Sequence, residues 1–484
     1  MTPQSGQHRR KRNLVIFLPD QQRADTLACY GNGKVHAPNL NKLASQCVIF
    51  DRAYVTQPVC SPSRASLMTG LWPHTTGCTN NGFTLDRGLA TLPELIGDSY
   101  RGGYVGKWHL REQPPTQRGF HEWVSVEGVS DYSKFLVGHG LKPDHEKGGF
   151  AALTISNLPL ELSQPKFVQE RACEFIERHR SDPFILVVAF VEPHSPYNSP
   201  FNNEHPVDDV GVDPTALRPA ADDDTPLRYR LTREWQKDRA AQDKSGTVRQ
   251  FHFGLTVDDY RNLKQKYLGL VTFVDQCIGS VLACLESTGL TDDTVIVHTS
   301  DHGDLLGAHH LFGKGVMFEQ AVRVPYLIRV PGQRPHMVMQ PVSHIDFLPT
   351  LIELLDRPKA SQPVGKSLMP LIRGEKTQPE DIFIEWNPYK KRGKRVKKGT
   401  SLASEDLINR AISESTRTVI STDGWKLNLR DMYLHELYNL NEDPLEKENL
   451  YYSGRHAEII ARCADLIRQW QTATNDTVDL APVN

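Results

Sequence analysis

TVIVHTSDHGD, residues 294–304, sets a run of apolar and β-branched residues directly against an Asp-His-Gly-Asp turn. It reads as a strand that ends in reactive polar groups. Three other stretches repeat the arrangement. NLVIFL (13–18) runs into Asp20 and Gln21, YVGKW (104–108) carries Lys107 and leads to His109, and FILVVAF (184–190) leads to Glu192-Pro193-His194. Helix-like segments at 167–180, 258–287 and 345–355 alternate with such runs, the pattern of an α/β protein with a mostly parallel sheet. Ligands of such sheets sit beyond the carboxyl ends of the strands, so four ends bearing Asp, His and Lys are expected to converge. Because strand side chains alternate, Lys107 and His109 are expected on one face.

Working outward, 484 residues are too many for one ordinary core. The spacing predicts a large α/β domain over 1–374, with a surface insertion at about 200–262, and a smaller C-terminal α+β subdomain over 375–484. The insertion is rich in Asp, Pro, Arg and Gln. The C-terminal part shows strand-like pieces at 381–386, 417–421 and 424–429 and a helix near 455–473. Hydrophobic content of 39% and charged content of 24% suit a globular enzyme. A formal charge of -2 gives no general pull toward nucleic acid. The longest strongly apolar run, PFILVVAFV (183–191), is far short of a membrane span, so no membrane partner is expected. The start of the chain is basic and lacks a signal-peptide core, and eight cysteines include no CxxC pair. The expectation is a reduced, cytoplasmic setting.

Taken singly, each polar strand end has a plain structural explanation: Asp20 can cap a helix, and Asp301 and Asp304 can be turn residues around Gly303. Taken together they make a site. Asp20, Asp301 and His302, with Gln21 able to add a carbonyl, suit a divalent cation such as calcium, magnesium or manganese. Lys107, His109, His194, Lys314 and Arg64 are too many cationic or potentially cationic groups for a neutral substrate, and describe a pocket for a tetrahedral oxyanion. In QPVCSPSRASLMTG (57–70), Ser61 and Pro62 open a helix. Cys60 therefore stands beside an anion-attracting helix N-terminus, as a candidate nucleophile. A thiolate, however, is a soft ligand among oxygens.

Cys60-Ser61-Pro62-Ser63-Arg64, followed by ASLMTG, resembles the signature of the type I sulfatases of the alkaline phosphatase superfamily. GKWHL, EPHSPY, SDHGDLLGAHHLFGKGVMFE, VSHIDFLPTLIELL and ELYNLNEDPLEKENL are similar to further blocks of that family. The resemblance implies an alkaline phosphatase-like fold, with a large mixed, mostly parallel sheet sandwiched by helices. It implies that Cys60 is oxidised to formylglycine by a formylglycine-generating enzyme, which replaces the soft sulfur by oxygens. It further implies metal ligation by Asp20, Asp301, His302 and the modified Cys60, with Gln21 where many members have a second aspartate. Calcium is the first expectation, with manganese or magnesium left open.

The activity so implied is hydrolysis of an aryl, alkyl or sugar sulfate. Arg64, Lys107 and Lys314 would stabilise the sulfuryl oxygens, His194 or Lys314 would protonate the departing alcohol, and His109 would take the second hydroxyl proton. A phosphonate monoester or phosphodiester hydrolase using the same site is the enzymatic alternative, and an inactive sulfatase-fold binding protein the other. The expected partner is a sulfated small molecule or carbohydrate, and a homo-oligomer is left open. KKRGKRVKK (390–398), with seven basic residues, is either an exposed loop or a contact for a polyanion.

Overall fold

The computed structural model describes residues 11–111, 114–145, 148–218, 225–242, 256–389 and 400–483. The basic run 390–398 lies outside the described residues.

An eight-stranded sheet forms the centre, in the spatial order His336–Val338, Val48–Phe50, Tyr326–Arg329, Thr294–Thr299, Asn13–Phe17, Phe184–Ala189, Arg101–Gly106, Glu122–Ser125. Only Tyr326–Arg329 runs antiparallel to its neighbours; the other seven strands are parallel. The period-2 alternation divides each central strand between two cores. Val15, Phe17, Leu186 and Val188 face one way and pack with Leu268, Val271, Val274, Ile278 and Val281 of the Val257–Ser287 helix. Leu14, Ile16, Ile185 and Val187 face the other and pack with Ala65, Leu67 and Met68 of the Cys60–Thr69 helix. Each such side chain is worth about 1.5–3 kcal/mol when fully buried. Among the described residues Val257–Ser287 is the one helix long and apolar enough to cross a membrane, but most of its apolar stretch is buried inside the protein.

The strand ends fall close to the expected ones, with one consequential exception. The third predicted strand stops at Gly106, so Lys107 and His109 lie in a loop. Gly106 has φ +111, and a Cβ there would stand 1.9 Å from the Ala189 carbonyl oxygen. Lys107 N–H nevertheless donates to that carbonyl. His109, at φ 57, has turned into the left-handed region, so alternation along a strand is not what orients these two side chains. The predicted surface insertion also differs. It carries a 16-residue helix, Leu227–Gln242, whose Tyr229 is fully buried with Leu305, Leu311 and Tyr438.

Beyond residue 374 a four-stranded antiparallel meander is built from Ile382–Trp386, Thr416–Ile420, Trp425–Arg430 and Glu436–Asn439. The last strand and the Glu405–Ile412 helix were not foreseen. Leu427 and Leu429 pack on Ile460, Cys463 and Ile467 of the Ala457–Thr474 helix. Their alternates on the same strand, Lys426, Asn428 and Arg430, are equally buried but polar. Lys426 reaches Glu319 at 2.9 Å and Glu446 at 2.8 Å. Arg430 pairs with Glu414 at 3.0 Å, with Glu436, and with the Tyr229 hydroxyl at 3.2 Å. The meander therefore meets the rest of the protein through compensated charge.

Two histidines in the core make stability depend on pH. His298 is fully buried, and neither ring nitrogen has a hydrogen-bond partner among the described residues. His344 is fully buried, and among the described residues its ring hydrogen-bonds the Thr299 hydroxyl alone, at 2.9 Å. Burial pushes both from the usual 6.5 down to about 3. The unfolded chain takes up protons below 6.5 that the folded chain refuses, so stability should be level above that pH and fall toward about 3. Urea midpoints compared at neutral pH and near pH 5 should show the fall, and His298→Leu should flatten it. An unchanged slope in that variant would assign the dependence to other groups.

Candidate active site

The site is assembled where the central strands end. Asp20 follows Asn13–Phe17, Asp301 and His302 follow Thr294–Thr299, and His194 follows Phe184–Ala189. The Cys60–Thr69 helix brings Cys60 to the same point. Its helical hydrogen bonds begin with Ser63 N–H to Val59 O at 3.1 Å. The helix opens at Cys60 itself rather than at Ser61. All ten of its residues are buried, and its first turn is held inside the protein, with Ser61 N–H donating to Asn81 Oδ1 at 3.0 Å.

One ligand atom each from Asp20, Cys60, Asp301 and His302 lies within 4.8 Å of the others. His302 Nε2 is 3.1 Å from Cys60 Sγ, 3.8 Å from Asp20 Oδ1 and 3.7 Å from Asp301 Oδ1. Its Nδ1 donates to the Gly303 carbonyl at 2.9 Å, which turns Nε2 to the cluster. Two buried carboxylates, an imidazole nitrogen and a fourth group on one point fit a divalent cation with mixed oxygen and nitrogen ligands.

Cations ring this cluster. Arg64 donates from Nε to Asp301 Oδ2 at 2.8 Å, from Nη2 to Asp20 Oδ2 at 3.2 Å and from Nη1 to Lys107 O at 2.7 Å. Lys107 Nζ stands 2.7 Å from Asp20 Oδ2. Burial alone would push Asp20 up, but Lys107, His194, Lys314 and Arg64 together hold it well below the usual carboxylate range. Asp301 goes the other way: burial and the neighbouring Asp20 raise it more than Arg64 and His302 lower it. Burial and Asp20 would raise the Cys60 thiol, yet Lys314, Lys107 and His302 bring it well below its usual value.

The remaining predicted residues take distinct places. Gln21, in the left-handed region at φ 70, receives Lys314 Nζ on Oε1 and donates from Nε2 to Asp304 and, at 3.3 Å, to the Tyr197 hydroxyl. His194 donates from Nδ1 to Ser195 O at 2.8 Å. Burial first, then Lys314, pushes it down to about 3, so it stands as a neutral imidazole with Nε2 unprotonated. His109 enters through its backbone. Its carbonyl accepts from Ser61 Oγ at 2.6 Å and its N–H donates to Glu127 at 3.0 Å, while its Nδ1 is buried without a hydrogen-bond partner among the described residues.

Further residues hold these groups in place. Tyr197 and Asp304 secure Gln21. Tyr267, from the Val257–Ser287 helix, donates to Gln21 O at 2.8 Å and accepts from Arg23 N–H at 2.9 Å. Arg228, from the insertion helix, lies over Trp386 at 4.3 Å and donates to Gly315 O at 2.7 Å, bracing the loop that carries Lys314. Glu192, beside this cluster, is raised by burial to about 7. Glu192 and Tyr197 belong to EPHSPY and Asp304 to SDHGD. Tyr267 and Arg228 lie outside those blocks and carry no local signal.

A profile of the sulfatase family matches residues 12–357, which include Asp20, Gln21, Cys60, Arg64, Lys107, His109, His194, Asp301, His302 and Lys314. The chain belongs to the sulfatase family. Within the alkaline phosphatase superfamily, this sulfatase also matches the profile of the N-sulphoglucosamine sulphohydrolase C-terminal region over residues 307–408. It is 26% identical over 479 residues to an uncharacterized sulfatase, YidJ, of Escherichia coli (strain K12), covering 96% of this chain and 88% of that one. It is 24% identical over 532 residues to an N-acetylglucosamine-6-O-sulfatase of Bacteroides thetaiotaomicron, covering 98% of this chain and 88% of the relative. In fold it is similar to a phosphonate monoester hydrolase from Silicibacter pomeroyi, with a TM-score of 0.79, 22% identity and 96% of each chain covered. The sulfatase fold so identified has the large, mostly parallel sheet, flanking helices and C-terminal antiparallel sheet described above.

Proposed function

We propose that this sulfatase hydrolyses the ester of an organic sulfate, with Cys60 converted to formylglycine as the reacting group. The observation that carries the reading is the convergence of Asp20, Cys60, Asp301 and His302 within 4.8 Å, walled by Lys107, Lys314 and Arg64. An aldehyde hydrate at Cys60 would supply a hydroxyl nucleophile and oxygen donors where the thiol offers only soft sulfur. A divalent cation, calcium before manganese or magnesium, would be held by Asp20, Asp301, His302 and that group, with Gln21 as a further oxygen, and would supply Lewis acidity at the sulfuryl oxygens.

The chain's own residues do the rest. Lys107 and Lys314 place positive charge where three sulfuryl oxygens must be neutralised. Arg64 acts through Asp20 and Asp301, since its guanidinium is spent on both. Scission of the S–O bond leaves an alkoxide that needs a proton. With His194 neutral and its Nδ1 hydrogen given to Ser195, the ammonium of Lys314 is the proton source and His194 Nε2 a hydrogen-bond acceptor beside it. His109, whose buried Nδ1 has no hydrogen-bond partner among the described residues, is the group to receive the second hydroxyl proton as sulfate departs.

Aryl and alkyl sulfates of graded leaving-group acidity test these roles. Lys314→Ala should lose about 10²–10⁴-fold on a poor leaving group and much less on 4-nitrophenyl sulfate. Full turnover of the alkyl sulfate by both Lys314→Ala and His194→Ala would overturn the assignment. Gln21 and His302 stand where many members have aspartate and asparagine, and this favours one alternative, a phosphonate monoester or phosphodiester hydrolase. Phenyl phosphonate or diester turnover exceeding that of the matched aryl sulfate would decide for it. The substrate class we favour is a sulfated carbohydrate, in keeping with the similarity to the N-acetylglucosamine-6-O-sulfatase of Bacteroides thetaiotaomicron.

A further inference from the structure

The loop that leaves the Arg101–Gly106 strand holds two side-chain-bearing residues in the left-handed region, His109 at φ 57 and Arg111 at φ 61. Backbone strain of this kind persists where the surroundings over-determine it, and it clusters at functional sites. His109 is fixed by the Ser61 hydroxyl on its carbonyl. Arg111 is exposed, and no ion pair engages it among the described residues. The buried arginines are different: Arg64, Arg228, Arg417 and Arg430 all meet carboxylates.

Arg111 has a defined neighbour. A Cβ on Gly82 would stand 3.0 Å from Arg111 Nη2 and 3.1 Å from the Tyr389 hydroxyl, so the missing side chain leaves room for both. Gly82 follows Asn81, whose Oδ1 accepts from Ser61 N–H at 3.0 Å, next to Cys60. Tyr389 stands edge-on to Phe83, with ring centroids 5.8 Å apart at 82°. It is brought there by the end of the Ile382–Trp386 strand, where Asn80 Nδ2 donates to Asn387 O at 2.9 Å. A guanidinium with no ion pair among the described residues, a phenol and a second aromatic ring thus gather around Gly82. Gly82 lies one residue from the asparagine that holds the Cys60 helix.

We propose that Arg111 and Tyr389 form a subsite for the leaving group of the substrate, and that this leaving group is a sugar bearing a second acid, either a uronate carboxylate or a further sulfate. The proposal rests on the sulfatase reading above. Arginine meets a carboxylate or a sulfate with paired N–H donors, and an aromatic wall of this size suits the apolar face of a sugar ring.

The test compares kcat/KM on four esters: 4-nitrophenyl sulfate, a neutral monosulfated N-acetylhexosamine, a monosulfated disaccharide containing a uronate, and a disulfated hexosamine. Wild-type enzyme should prefer one of the acidic sugars to the neutral one. Arg111→Ala should shrink that preference by about 10–100-fold, and Arg111→Lys should retain part of it. Added salt should weaken the preference, because the contact is exposed. The acidic sugar that loses most in Arg111→Ala identifies the acid recognised. A wild type without preference, or a preference that Arg111→Ala leaves intact, would overturn the subsite while leaving the sulfatase reading standing. Failure of the wild type on all four esters, including 4-nitrophenyl sulfate, would overturn the sulfatase reading and this inference with it.

Discussion

Replacing Cys60 by alanine should lower kcat/KM on any sulfate ester by about a millionfold, the scale of losing an enzyme's covalent nucleophile. Nothing nearby can substitute: the other groups at the cluster are two carboxylates, an imidazole and the cations around them. Cys60→Ser should be almost as inactive, since a plain hydroxyl lacks the second oxygen whose proton loss expels sulfate. Neither change should unfold the protein. The thiol is 1% exposed at the first position of a helix held by its own buried length, and both substitutes are small. Peptide mass spectrometry across 57–70 supplies the independent readout. The active wild type should carry an aldehyde at position 60, and an unmodified thiol in fully active enzyme would sink the mechanism.

Arg64→Ala should cost about 3–5 kcal/mol of stability, the usual effect of removing one partner from a buried ionic cluster. Arg64 is 1% exposed and satisfies Asp20, Asp301 and the Lys107 carbonyl together. Its loss leaves Asp301 without its closest cation, in a place where burial and Asp20 already disfavour its charge. The urea midpoint should fall accordingly. A divalent cation should restore more stability to the variant than to wild type, because it returns positive charge to the same carboxylates. A loss under about 1 kcal/mol would mean that the carboxylates relax by taking up protons.

The convergence of the site was legible because it follows from topology. Parallel strands deliver their ends to one edge, so Asp20, His194 and Asp301 could be grouped from the residues after NLVIFL, FILVVAF and TVIVHTS. The expectation for Lys107 and His109 failed because the strand ends at Gly106. Gly106 turns to φ +111, where a Cβ would collide with Ala189 O, and no pattern within YVGKWHL records a contact made 83 residues away. Gln21 was named from its place after NLVIFL, but its grip on Lys314, Asp304 and Tyr197 depends on three separate loops. The insertion, being rich in charge, read as surface. Arg228 and Tyr229 are buried there because Glu414 and Arg430, from a distant meander, provide their counter-charge and hydrogen bonds.

The polar inner face of that meander limits how this architecture can be recombined. Lys426 and Arg430 are fully buried, and their partners Glu319 and Tyr229 are supplied from before residue 374. A chimera that exchanged this C-terminal part for that of a relative would strand an acid on one side of the seam and a base on the other. The two stretches must therefore be inherited together, with substitutions at Glu319, Tyr229, Lys426 and Arg430 accepted only in matched sets.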